Sequence, residues 1–238
     1  MNKLTKIGVS ALAGSLAMTA VHAAEGSVSV STGFAFASTV DENGPTGPYQ
    51  FDSVIFSASG ETEGGITVSA KMELDNDNPG TTTSSNGMDD RSVSFGTDAM
   101  GTVTFHGHGG SSVMGQWDDM TPNAYEEVWD TTASADNRID GRSGDNLLTY
   151  DSPSFNGVQF KAAYQHDHST TDNQNKDLSH YTDFGIMVSP EMVEGLTIGY
   201  GFGELEPNTS QTIDNETLFV KYSVGGFTLG YQQSETDG

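Results

Sequence analysis

Residues 51–74 read F-D-S-V-I-F-S-A-S-G-E-T-E-G-G-I-T-V-S-A-K-M-E-L. Val54, Phe56 and Ala58 recur at every second position, and after the stretch from Glu61 to Gly65 so do Ile66, Val68, Ala70, Met72 and Leu74. A period of two puts successive side chains on opposite faces of an extended chain, whereas a helix repeats its apolar positions every three or four residues. The Glu-Thr-Glu-Gly-Gly stretch is turn chemistry, so the segment is expected to be a β-hairpin with one apolar face.

The same alternation runs outward in both directions. Residues 26–39 carry Val28, Val30, Phe34 and Phe36 on one parity, and 91–96 with 101–106 form a second hairpin with Val93, Phe95, Val103 and Phe105 aligned. Further strands are expected near 146–151, 157–166, 180–189, 195–203, 215–224 and 226–233, roughly eleven in all. Short turns at 97–100, 152–156 and 190–194 alternate with longer polar connections at 75–90, 107–145, 167–179 and 204–214. Transmembrane barrels show this asymmetry, with tight turns on one side of the membrane and long loops on the other. A soluble sandwich has no reason to keep it.

Lysine placement agrees. Lys71, Lys161 and Lys221 are the only lysines inside the expected strands, and each takes the polar parity between apolar neighbours. Chance would do this about one time in eight, while a Lys at mid-bilayer on a lipid face costs roughly 2 to 4 kcal/mol. A soluble sheet with one buried and one solvated face predicts the same parity. The aromatics separate the two: Tyr150, Tyr164, Tyr200, Phe202, Tyr222, Phe227 and Tyr231 lie on the apolar parity with Phe34 and Phe36, many near strand ends. Interfacial girdles of a barrel sit there, whereas tyrosines in a closed core need a partner for every hydroxyl.

Composition narrows the partners. The 238 residues carry 33 acidic and nine basic side chains, a formal charge of -24. Such a chain repels a phosphate backbone, so nucleic acid is not an expected partner. With no cysteine, disulfides contribute nothing. Residues 1–23 have the parts of a secretory signal: Lys3 and Lys6, an apolar stretch from Ile7 to Ala20, and Val21-His22-Ala23 before the expected cleavage. That stretch is too short to span a bilayer as a helix. The expected mature domain is therefore 24–238, exported, with a balance of -26 once the two lysines are removed.

Two stretches resemble a known family. R-S-V-S-F-G-T-D-A-M-G-T-V-T-F-H-G at 91–107 is similar to the strand, short turn and strand that precede the constriction loop of general porins of Gram-negative bacteria, of the proteobacterial trimeric type. N-L-L-T-Y-D-S-P-S-F-N-G-V-Q-F-K-A-A-Y at 146–164 resembles that family's next hairpin and is the more specific of the two. The resemblance also accounts for 51–74. It implies an all-β fold, a transmembrane antiparallel β-barrel of 16 strands, a homotrimer in the outer membrane in contact with its lipid, and a third external loop folded inward. It further implies passive diffusion of ions and small hydrophilic solutes, with no enzymatic activity and no cofactor. Family members usually end on an aromatic residue, whereas this sequence stops at Glu235-Thr236-Asp237-Gly238, which reads as a loop. About eleven strands do not close a sixteen-stranded barrel, and an unclosed sheet leaves unpaired backbone groups in lipid, so a C-terminal truncation is expected.

By position, residues 107–145 match the inward loop. They carry Asp118, Asp119, Glu126, Glu127 and Asp130, with Arg138 and Arg142 near the end and Trp117 and Trp129 among them. A carboxylate cluster in a narrow pore concentrates cations, so mild cation selectivity is expected. The bland alternative is a solvated external loop, against which the two tryptophans argue because they require burial. Lys71, Lys161 and Lys221 are expected on the lumen wall, some of them as a positive wall opposite the loop.

Other chemistry has weaker support. Asp75-Asn76-Asp77-Asn78-Pro79-Gly80 loosely resembles the start of a calcium loop, with Asp75 and Asp77 as weak ligand candidates, but Pro79 interrupts it and Asn86 stands where the bidentate Glu belongs. His106 with His108, and His166 with His168, have spacing for a shared metal but no evident third ligand. No cysteine nucleophile, G-x-S-x-G elbow or P-loop is present. Two rivals stay open: a secreted β-rich adhesin, soluble without detergent, and an outer-membrane barrel hydrolase with a distant Ser and His pair.

Overall fold

The computed structural model describes residues 22–37, 47–75, 90–122, 141, 143–144, 146–166, 180–206 and 212–238. Of the expected signal segment only its last two residues fall among them. Eleven strands form one sheet: β1 (His22–Ala37), β2 (Gly47–Glu61), β3 (Thr67–Asp75), β4 (Arg91–Thr97), β5 (Gly101–His108), β8 (Leu147–Asp151), β9 (Val158–His166), β10 (His180–Val188), β11 (Leu196–Glu206), β12 (Ile213–Val224) and β13 (Phe227–Asp237). Each pairs antiparallel with the strand before and after it in that order, with β1 and β13 at the edges. The chain leaves this meander between β5 and β8, where β6 (Gly110–Ser111), a short helix α1 (Val113–Gln116) and β7 (Ser143–Gly144) lie. β6 and β7 pair with each other and tie the start of the excursion to its end.

The number of strands in the sheet is the number expected, and the hairpin of residues 51–74 is there in register, Val54 opposite Leu74 and Phe56 opposite Met72. The far ends differ. β11 runs to Glu206, β12 starts at Ile213, and β13 continues through Glu235-Thr236-Asp237, paired as Glu216 with Glu235 and Asp214 with Asp237. The last residues are thus strand rather than loop. Hydrophobic alternation stops where side chains leave the apolar zone, but the backbone ladder needs no apolar residue to continue. At the other end, regular pairing of β1 begins at Glu25, past a register shift that follows His22.

The short connections lie at one rim and bond to one another. Ser189 N–H donates to Gly157 O at 2.7 Å and Ser223 N–H to Gly195 O at 2.9 Å, so successive turns are tied side by side.

Burial decides between barrel and sandwich. The apolar parity is open to the surroundings along the whole sheet: Val30 is 68% exposed, Phe160 56%, Phe184 57% and Leu229 70%. A soluble sheet would bury this face, since an exposed apolar surface of such extent is not left in water. The polar parity bears Ser57, Ser59, Ser69, Ser94 and Thr104, with Ser94 and Thr104 hydroxyls bonded at 2.8 Å. Among the described residues no helix is long and apolar enough to cross a membrane.

Candidate functional site: a loop seated on the polar face

Residues 110–122 leave β5 and lie on the polar face of the sheet. Ser112 caps α1, its Oγ accepting from Gly115 N–H at 3.3 Å, as serine commonly does before a first helical turn. Four residues cannot hold a helix unaided, so the wall must hold it. Val113 and Met114 are buried, and Trp117, at the end of the helix, is 3% exposed. The Trp117 indole stands edge-on to Phe219 of β12, ring centres 5.3 Å apart, and with Leu147 and Ala163 they make a small apolar core between loop and wall. Burying side chains of this size contributes about 1.5 to 3 kcal/mol each.

The sheet makes room for this core by omitting side chains. A Cβ at Gly185 of β10 would overlap the Trp117 ring, and one at Gly201 of β11 would lie 2.8 Å from Met114 Sδ and 3.0 Å from Trp117 Cε3. The two glycines are the floor on which the loop rests.

Polar contacts flank the core. Asp183 of β10, fully buried, accepts from Met114 N–H at 2.8 Å and from the Tyr181 hydroxyl at 3.2 Å. Gln232 of β13 accepts from Met120 N–H through Oε1 at 2.7 Å and donates through Nε2 to Trp117 O at 2.6 Å and Thr217 Oγ1 at 2.9 Å.

The expected site residues fall as follows. Asp118 and Asp119 come directly after the seated indole; Asp118 Oδ1 accepts from Asp119 N–H at 2.8 Å, and Asp119 Oδ1 from the Thr121 hydroxyl at 3.1 Å. Lys71 shares the polar face and is ion-paired with Glu73 and Asp90, both at 2.9 Å. Lys161 is ion-paired with Asp151 and donates to Gln116 Oε1 at 3.2 Å, so it reaches the loop. Lys221, also on this face, stands in register with Thr197 and Gly230. Lys71 and Lys161 therefore sit against carboxylates of the wall itself. Glu126, Glu127, Asp130, Arg138, Arg142 and Trp129 lie outside the described residues, as does Asp77; Asp75 is the last residue of β3, its backbone paired with Ser53. Among the described residues no three His, Asp or Glu side chains come together as a metal site. His106 bonds Thr149 at 3.1 Å, and His180 pairs with Glu206 at 2.9 Å.

Asp183, Gln232 and Phe219 were not anticipated. For Phe219 a signal existed: Leu218-Phe219-Val220 breaks the alternation, and an apolar residue out of phase on a wet face needs something to cover it. Nothing local marks Asp183 or Gln232, which look like any polar residue on that parity.

No curated protein matches this sequence. Among solved structures, the chain is similar in fold to OmpF of Salmonella typhi, solved in complex with daunomycin, with a TM-score of 0.57 and 15% identity over 90% of this chain; it spans 65% of the OmpF chain. A porin of Rh. blastica, as a multiple mutant, matches with a TM-score of 0.44 and 12% identity over 89% of this chain and 85% of that one. An anion-selective porin from Comamonas acidovorans matches with a TM-score of 0.38 and 12% identity, over 90% and 79% respectively. The meander with a loop laid on its polar face is thus that of a porin β-barrel, and the model of the Gram-negative porin family matches residues 8–238, so the chain belongs to that family.

Proposed function

We propose that the protein is an outer-membrane porin, a water-filled channel for passive diffusion of ions and small hydrophilic solutes. The observation that carries this is the pairing of an exposed apolar face with a polar face on which residues 110–122 are seated. The apolar face meets outer-membrane lipid, the polar face bounds the lumen, and the loop 107–145 narrows it. Export through a cleaved signal at 1–23 and assembly as a homotrimer complete the reading.

Charge supports mild cation selectivity. The loop 107–145 holds eight carboxylates against two guanidiniums, and Lys71 and Lys161 are offset by their own acidic partners. Fixed negative charge in a narrow, low-dielectric passage raises local cation concentration and repels anions.

The test is reversal potential in a planar bilayer under a potassium chloride gradient. A cation-selective potential is expected, reduced in the variant D118N/D119N/E126Q/E127Q. Inserted protein without conductance, or an anion-selective potential that the variant leaves unchanged, refutes the reading.

A further inference from the structure

The seated segment crosses the wall from β10 to β13, three strand spacings, or about 14 Å at the usual inter-strand distance. At one end of that span stands Asp183 and at the other Gln232. We propose that these two side chains, with the slot at Gly185 and Gly201, are the positioning residues that fix the loop on the wall and so set how far it projects into the lumen. The consequence for transport rests on the constriction reading above; the seating itself does not.

Each clamp meets a need the loop cannot meet internally. The first N–H groups of a helix have no intrahelical acceptor, and Asp183 takes that of Met114. A carboxyl group buried to zero exposure is costly unless hydrogen-bonded; the Met114 amide and Tyr181 hydroxyl both bond Oδ2, while Oδ1 is buried without a hydrogen-bond partner among the described residues. Gln232 uses both ends of its amide on the loop backbone, accepting from Met120 and donating to Trp117. A side chain that reads a donor and an acceptor three residues apart bonds both at one register only, so it locks the segment against sliding. One clamp would leave a pivot. Two clamps on strands β10 and β13, with the indole wedged over glycine between them, leave neither rotation nor slip.

The protein has two tryptophans, so W129F leaves Trp117 as the sole indole reporter. Acrylamide quenching of that reporter in the folded protein reads whether the loop is seated. The parent should be protected. D183A/Q232A should raise the unseated fraction by about tenfold for the fully buried Asp183 and about fivefold for the neutral, half-buried Gln232. G185A, which keeps both clamps and places a methyl group where the ring lies, should expose Trp117 as well, and it stands as the test if the double variant does not fold. Protection equal to the parent in a folded variant overturns the positioning role. Conductance recorded on the same samples separates the two readings: quenching and conductance rising together support both, whereas quenching that rises at unchanged conductance keeps the positioning and overturns the constriction.

Discussion

Replacing Phe184 with lysine distinguishes a lipid face from a merely exposed one. Phe184 is the central residue of β10, on the apolar parity, opposite Ala162 and Phe202 in the neighbouring strands. More than half of its surface is open. If that surface faced water, a lysine would change stability by no more than about 0.5 kcal/mol, as surface substitutions do. If it faces the middle of a bilayer, the cost is about 2 to 4 kcal/mol, a factor on the order of 30 to 1,000 in the folding equilibrium. The assay is a urea titration of the protein in phospholipid vesicles, followed by tryptophan fluorescence. Ser59→Lys, an exposed residue on the polar face, serves as the control and should leave the midpoint nearly unmoved. Equal, small shifts for Phe184→Lys and Ser59→Lys would refute the assignment of the two faces.

Two other outcomes follow from named contacts. Lys71→Met removes the cation between Glu73 and Asp90, so the reversal potential should move toward stronger cation selectivity, and the gain should fade as salt is raised and the Debye length shortens; an unchanged potential would remove Lys71 from the conducting path. Gly195 has φ of +81° in the turn before β11, and a Cβ there would overlap Ser223 O. Gly195→Val should therefore lower the unfolding free energy obtained from the urea titration by at least about 1 to 2 kcal/mol, while the same change at Gly64, which has only Thr62 Oγ1 near, should cost less.

Much of the fold was legible because sheet formation is local in its signal. A period of two, read at Val54-Phe56-Ala58 or at Val68-Ala70-Met72, states both the strand and its faces, and adjacent strands joined by short turns have little choice of partner. The strand ends were less legible, since Glu204 to Glu206 and Glu235 to Asp237 pair through backbone groups that carry no residue code. The loop was legible only in outline. Its length and its tryptophans called for a surface to rest on, and Trp117 has one.

Which surface that is belongs to another scale. Trp117 meets Gly185 and Phe219, separated from it by 68 and 102 residues, and Met120 meets Gln232 across 112. A glycine in a strand, an aspartate on a polar parity and a glutamine in mid-strand have no periodic signature, because their roles arise from contacts with a distant segment rather than along the chain. The lysines make the same point in part: parity placed Lys71, Lys161 and Lys221 on the polar face and set Glu73 two residues from Lys71 on the same strand, but Asp90 and Asp151 reach Lys71 and Lys161 only through the pairing of neighbouring strands. Alternation along the strand is set by backbone geometry and can be read one residue at a time; the seating of the loop is a contact between distant segments, and only the tertiary arrangement brings them within reach.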